Sequence, residues 1–443
     1  MKLKLLIPAL AILAFSAPFV NAQNQNKPVR YGTGLTATGS DKAAFTIYTN
    51  PAQDCSNSMN ISWATPAGAQ CTIELINEKD STRSIYSYND PEKCTTFNNI
   101  SSKLANNTDV HESHIFDKHG FELFNLKPDT PYSYRIITER TPGGEKEYSD
   151  VYRFRTAGAD SWKAAVIGDF HHYSPIWSRL DAAMGMLDVI DSVSGGYDWV
   201  ISPGDQCAWG GSYNFWTELS EQPAYKNHMW ASVQGNHDNM TRQSEKSDNF
   251  FRDSHFFPRN GYPGQEGISY WFKYGNVLFI MLNNEAMHSA KSIEPVTEWM
   301  EQVVTDNPSK YIVVVQHYNW LIGTDGANSQ LDRFRKVFDR LGVDIAISGH
   351  NHAYLRTYPI KDRQVVKPGE GTFYIVNSSS DNNRGRALKP LVANKNIIEQ
   401  RWSEGAKTVG AMLMDVNPER IVMTLYDRNG NVQDTFSSPA KKK

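Results

Sequence analysis

Five short segments of the chain carry residue types that bind metal ions. They are Gly-Asp-Phe-His with Asp169 and His171, Gly-Asp-Gln with Asp205, Gly-Asn-His-Asp with Asn236 and His237, Val-Gln-His with His317, and Gly-His-Asn-His with His350 and His352. Carboxylate, amide and imidazole donors together suit iron, zinc or manganese, whereas calcium or magnesium favour oxygen donors alone. Two such ions held side by side lower the pKa of a shared water towards about 7 and neutralise the charge of an anionic ester, which is the chemistry of phosphate ester hydrolysis. A Gly-Asp dipeptide or a lone His-X-His is common by accident. Five segments in order, each just after an apolar run, form a much more specific signal.

Those segments need rigid elements to gather them. Residues 163–167, 199–202, 230–234, 277–282, 311–316, 344–348 and 372–376 are short apolar, β-branched runs that predict strands. Between them, residues 176–193, 294–304 and 329–341 repeat apolar residues at helical spacing, with Leu331, Phe334, Val337, Phe338 and Leu341 in the last. Continuous apolar strands alternating with helices predict a layered α/β domain whose sheets are flanked by helices. In such sheets ligands collect beyond the strand ends, which is where the Asp, His and Asn residues lie. The tail from Thr408 to Phe436 returns to alternation around an Asp427–Gly430 turn and is expected to complete a sheet of this domain. Ahead of Gly158 the chain reads all-β. Residues 44–48, 60–63 and 71–75 alternate, and Leu126-Lys-Pro-Asp-Thr-Pro-Tyr132-Ser-Tyr134 has the form of a turn whose tyrosine bonds back to it. With Trp63 on an early strand, residues 31–157 are similar to a fibronectin type III sandwich, expected as a structural unit packed on the α/β domain rather than as a binding arm.

Residues 160–380 resemble the calcineurin-like metallophosphoesterases in the order Asp-X-His, Gly-Asp, Gly-Asn-His, His, Gly-His-X-His. With the preceding sandwich the chain is similar to purple acid phosphatases. The resemblance implies an α/β metallophosphoesterase domain over residues 158–437 and an exchange of ligands position by position. Asp169, His171 and His352 would hold one ion, Asn236, His317 and His350 the other, and Asp205 would bridge them with a shared hydroxide as nucleophile. His237 would face substrate, stabilising the phosphoryl group or protonating the leaving oxygen, with Asp238 either orienting it or capping its own loop; His172, unless it points away from the site, and Asn319 are further candidates for substrate contact, as are Tyr318, Trp320 and the Trp209–Tyr213 loop. His228 and His288 fit no pattern. The expected substrate is a small phosphomonoester. A phosphodiesterase with the same centre is the alternative, and a cell-surface glycan- or protein-binding module with a weakly active metal domain is a third reading. Arg384 and Arg386 are candidates to clamp a second phosphate.

With 443 residues the chain suits two or three domains, and a formal charge of −3 gives no reason to expect nucleic acid as a partner. Lys2 and Lys4, the apolar stretch from Leu5 to Phe19 and Val20-Asn21-Ala22 have the form of a cleaved export signal over residues 1–22, followed by a polar linker at 23–30. A secreted or periplasmic protein without a transmembrane anchor is expected. Export permits disulfides, but pairing among Cys55, Cys71, Cys94 and Cys207 is left open by sequence. One departure bears on the metals. Purple acid phosphatases have a tyrosine ligand three residues after the bridging aspartate and no histidine in the first motif; here those places hold Ala208 and His171. The iron-loaded protein is therefore expected to lack a visible tyrosinate-to-iron band, and an absorption spectrum containing one would contradict this ligand set.

Overall fold

The computed structural model describes residues 42–88, 94–100, 113–173, 176–211, 213–239, 250–287, 290–321 and 330–441. The signal and linker segments, His288 and residues 240–249 and 322–329 of the loops at 239–270 and 319–329 lie outside them, as does the side chain of Cys94. No helix among the described residues is long and apolar enough to cross a membrane.

Strands β1 (Phe45–Asn50), β2 (Met59–Pro66), β3 (Gln70–Asn77), β4 (Arg83–Tyr88), β5 (Cys94–Ile100), β6 (Ser113–Leu123), β7 (Pro131–Glu139), β8 (Lys146–Tyr148) and β9 (Tyr152–Arg155) form an N-terminal sandwich. One sheet runs β1-β2-β6-β5 and the other β4-β3-β7, with β8 and β9 sharing the outer edge of β7. Trp63 fills the interior, its ring stacked 5.0 Å from that of His119. The Lys127 N–H donates to the Tyr132 hydroxyl at 2.8 Å, so the tyrosine does fasten its turn. Tyr134 bonds the Thr49 hydroxyl at 2.9 Å and ties the two sheets together.

β1 and β2 are buried almost end to end, which a sheet with one wet face would not need. Their second face packs on the α/β domain. Thr46 meets Thr217 at 2.8 Å, Asn50 takes the Phe256 N–H at 2.9 Å, the Ser62 hydroxyl donates to the Ser254 carbonyl at 2.8 Å, and the Tyr48 hydroxyl donates to the Trp216 carbonyl. One continuous apolar core runs through the sandwich and into the α/β domain, so the sandwich is a wall of the molecule and not a hinged arm.

The α/β domain is ordered β10 (Trp162–Val166), α1 (Ser178–Ser194), β11 (Trp199–Ser202), α2 (Tyr213–Ser220), α3 (Pro223–Asn227), β12 (Met229–Ser232), α4 (Phe250–Ser254), β13 (Tyr270–Tyr274), β14 (Val277–Leu282), α5 (Ala290–Asp306), β15 (Tyr311–Gln316), α6 (Leu331–Leu341) and β16 (Ile345–Ser348). It continues with β17 (Tyr354–Thr357), a hairpin of β18 (Ile360–Lys361) and β19 (Gln364–Val365), β20 (Phe373–Val376), β21 (Ile398–Trp402), β22 (Gly410–Val416), β23 (Arg420–Asp427) and β24 (Val432–Pro439). One sheet is β12-β11-β10-β22-β23-β24 and the other β13-β14-β15-β16-β20-β17-β21. The tail thus completes a sheet, β22 running antiparallel to β10. Val277, Phe279, Met281, Val313 and Val315 join the core between the sheets, while Leu278, Ile280, Leu282, Ile312 and Val314 face α5 and α6. Both faces of these strands are covered, which is why their sequences are continuous apolar runs without alternation.

β10, β11 and β12 are mutually parallel, as are β14, β15, β16 and β20. Their C-terminal ends therefore open on one side of the molecule.

His255 lies at the sandwich junction with its ring stacked on Phe257 and its Nδ1–H donated to the Phe251 carbonyl at 2.8 Å. Burial holds its pKa down at about 3, and that of His119 at about 4. The unfolded chain binds these protons near pH 6.5 and the folded chain does not, so stability is lost as pH falls from about 6.5 towards 4. The urea midpoint should drop between pH 7 and pH 5, and His255→Gln should reduce the drop; equal drops in both proteins would refute the linkage.

Candidate dimetal site

The five segments meet where the parallel strands end. Donor atoms of Asp169, His171, Asp205 and His352 lie within 4.8 Å of one another, and those of Asp205, His317 and His350 form a second such group. Asp205 belongs to both. Its Oδ2 is 3.1 Å from His171 Nε2 and 3.3 Å from His317 Nε2, so a single oxygen faces both groups. The Asn236 amide completes the second set: its Oδ1 is 3.0 Å from His350 Nδ1 and 3.1 Å from His317 Nε2.

The imidazoles are held so that one nitrogen of each points inward. His317 Nδ1 pairs with the Pro203 carbonyl and His352 Nδ1 with the Arg384 carbonyl, each at 2.8 Å, leaving Nε2 for the centre. His171 Nδ1 faces the buried carboxylate of Asp381 at 3.6 Å. Outer carbonyl and carboxylate partners of this kind select the tautomer of a metal-binding histidine.

The electrostatics fit two cations. Burial, with the Asp205 charge adding, pushes the Asp169 carboxyl up to about 7. Burial also disfavours a charged His317 ring, yet Asp205 and Asp169 outweigh it and hold the ring up at about 10; His171 is likewise raised, against burial, by Asp205 and Asp381. Burial and the neighbouring His317 charge push His350 down to about 3, and burial with His171 pushes His352 well below its ordinary value. The buried carboxylates thus favour positive charge at His171 and His317, a demand that metal ions held by these sets would meet.

The backbone is bent to achieve this. Asp169, His171, Asp205, His350 and His352 all have φ between 44° and 72°, a left-handed conformation that non-glycine residues adopt at about 1–3 kcal/mol each. Packing is close as well: a Cβ on Gly235 would fall 2.2 Å from Asp205 Oδ1, which explains the glycine before Asn236.

Three expectations need correction. Asp238 does not orient His237. Its buried carboxylate accepts the N–H groups of Asp205 at 2.9 Å and Gly235 at 2.8 Å on one oxygen and that of Cys207 at 3.0 Å on the other, clamping two metal loops together. Burial, with Asp205 adding and these bonds opposing, raises it to about 7. His237 is instead held by its Nδ1–H on the Ala208 carbonyl at 2.9 Å, so the position of the missing tyrosine ligand supplies a backbone acceptor. His172 is not at the substrate face: it is fully buried, 2.5 Å from Glu218 and packed on Trp177 and Phe215. Asn319 is also buried, its amide donated to the Leu321 carbonyl within its own loop.

Other candidates divide. Tyr318 sets its ring 4.9 Å from that of His350, with its N–H on Asn284 and its hydroxyl on Glu285; Trp209 lies 5.7 Å from His237. Tyr213 and Trp320 are core residues, and His228 stacks on Tyr197. Cys55, Cys71 and Cys207 are buried, Cys55 and Cys207 as free thiols, and burial pushes the Cys207 thiol well above its ordinary value. Sequence reasoning missed Asp381, Asn284 and Glu285. Asp381 follows β20, a recognised parallel strand, so its position at a strand end was the available signal.

Removing the Asp238 carboxylate would leave three buried N–H groups without an acceptor, at about 1–3 kcal/mol each. Asp238→Ala should therefore bind fewer than two ions per chain by elemental analysis after metal loading. Retention of two ions with unchanged affinity would show that the clamp is dispensable.

The geometry has counterparts among known proteins. The calcineurin-like phosphoesterase family model matches residues 163–354, and the purple acid phosphatase N-terminal domain model matches residues 44–156. Curated protein sequences contain no match to the chain. Among solved structures, the purple acid phosphatase PPD1 from yellow lupin (Lupinus luteus) seeds superposes with a TM-score of 0.70 at 14% identity, over 91% of this chain and 75% of that one. PhoD superposes with a TM-score of 0.56 at 11% identity, over 90% and 94% of the two chains. At these identities the superpositions establish the fold, and the two family models establish its parts. The chain carries a purple acid phosphatase N-terminal domain followed by a calcineurin-like phosphoesterase domain, together in the fold of a purple acid phosphatase.

Proposed function

We propose that the protein is an exported phosphohydrolase that cleaves small phosphomonoesters at a centre of two iron, zinc or manganese ions. The observation that carries this reading is the single Asp205 oxygen shared by two overlapping donor sets. Export rests on the form of residues 1–22. When bound, the two ions supply charge neutralisation and an ionised water at neutral pH.

The chain's own residues do the rest. Asp205 and Asn236 set the spacing of the two donor sets, the Pro203 and Arg384 carbonyls keep His317 and His352 in metal-binding tautomers, and the Asp381 carboxylate faces His171 Nδ1 at 3.6 Å. His237 is half-buried, and its N–H is fixed on Asp205 Oδ1 at 2.8 Å. With Nδ1 on the Ala208 carbonyl, Nε2 has no protein partner among the described residues. Burial, with the His171 charge adding, lowers its proton affinity, so the resting ring is neutral. A phosphate dianion alongside would raise it, and the ring could then hold a proton at Nε2 for the leaving oxygen.

Hydrolysis of p-nitrophenyl phosphate and bis-p-nitrophenyl phosphate by protein loaded with manganese, zinc or iron tests the reading. Monoester turnover should exceed diester turnover, and the reverse preference would make the enzyme a phosphodiesterase. His237→Ala should keep two ions per chain and lose about 10²–10⁴-fold in kcat; unchanged turnover would remove its proposed part.

A further inference from the structure

The segment Asp381-Asn-Asn-Arg384-Gly-Arg386 lies against the metal loops as a preformed turn. Asp381 Oδ1 accepts the N–H groups of Asn383 at 2.8 Å and Arg384 at 2.7 Å, while its other oxygen faces His171. The Arg384 carbonyl takes the Nδ1–H of His352, and the Arg386 N–H reaches the His352 carbonyl at 3.3 Å. A Cβ on Gly385 would fall 2.3 Å from the Gly405 carbonyl, so the turn is also packed from outside. Position 384 is thereby fixed directly beside His352.

Three arginines surround this corner, and they differ. Arg179 donates to Asn383 at 3.0 Å and to the His171 carbonyl at 3.4 Å. Arg386 is exposed and bonds Asn351 at 3.4 Å. Arg384 is half-buried, and its guanidinium has no hydrogen bond or ion pair among the described residues. Its backbone carbonyl holds His352, and the rings of His352 and His237 each lie 4.9 Å from that of His171, so position 384 borders the side of the centre where these three meet. A guanidinium with no protein partner is left available to an anion, and its planar fork matches phosphoryl oxygens.

We propose that Arg384 binds a terminal phosphoryl oxygen of the substrate and sets a preference for phosphomonoester dianions over phosphodiester monoanions. This rests on the hydrolase reading of the same centre. A monoester has three terminal oxygens, so one remains for the guanidinium when two ions engage the others. A diester has only two terminal oxygens and one negative charge. Arg384 is then the residue that makes the third oxygen count.

The test uses the full chain loaded with two ions, as Arg384→Met and Arg384→Lys. Arg384→Met should lower kcat/KM for p-nitrophenyl phosphate about 10–100-fold, the range of a hydrogen bond to a charged group, and that for bis-p-nitrophenyl phosphate less than about threefold. Arg384→Lys should recover part of the loss, and metal content should stay at two ions, since the backbone carbonyl that holds His352 is retained. Equal losses on both esters, no loss, or a fall in metal content would overturn the assignment. Inorganic phosphate binding by calorimetry gives a reading independent of turnover, expected to weaken about tenfold in Arg384→Met, or about 1.4 kcal/mol. Wild type silent on both esters would refute the hydrolase reading, whereas unchanged phosphate affinity in the variant would refute the role of Arg384.

Discussion

The centre depends on one buried carboxylate. Asp205 Oδ2 stands between His171 and His317, its Oδ1 takes the His237 N–H, its own N–H is held by Asp238, and its carbonyl accepts the His171 N–H at 3.0 Å. One residue thus touches the loops after β10, β11, β12 and β15. A carboxylate buried to this depth is tolerable only when surrounded by positive charge and donors. The protein surrounds it with imidazoles, those of His317 and His352 fixed at their outer nitrogens, and two metal ions would complete the charge balance.

Holding this arrangement requires strained backbone, because a ligand at a strand end has to turn back towards its neighbours within two or three residues. Five of the seven candidate ligand positions, Asp169, His171, Asp205, His350 and His352, are left-handed. Such conformations persist where the surroundings leave no alternative. Here those surroundings reach as far as the N-terminal sandwich. The segment after Asp205 pairs with His172, His172 meets Glu218 on α2, and α2 is pressed against β1 through Thr217 and Trp216. The sandwich therefore acts on the centre through packing and without supplying a ligand, which gives a physical reason for the two domains to share one core.

Much of the α/β layering was legible because its strands are short apolar runs and its long helices are amphipathic. The run at 277–282 and the run at 311–316 coincide with β14 and β15, and the helical spacing at 329–341 with α6. α2 was not legible, since it is only eight residues long and all eight are buried, its polar Asn214, Thr217 and Glu218 included. The same limit applied to side-chain roles. His172 and Asp238 sit next to ligands in sequence, yet one turns into the core and the other clamps backbone, because adjacent residues at a strand end point in opposite directions. Asn319 follows His317 by two residues but bonds within its own loop.

By itself the sequence determined the donor chemistry and its placement: seven Asp, Asn and His side chains in five loops, each following an apolar run, with Ala208 where a phenolate would be needed. Those properties depend on residue type and local period, which survive in a linear string. Which oxygen of Asp205 faces both donor sets, that Asp381 stands behind His171, and that Arg384 alone of its neighbours keeps an unpaired guanidinium were decided only by tertiary structure. Each joins segments tens to hundreds of residues apart, and their distances follow from how two sheets and a sandwich pack, which no local pattern encodes.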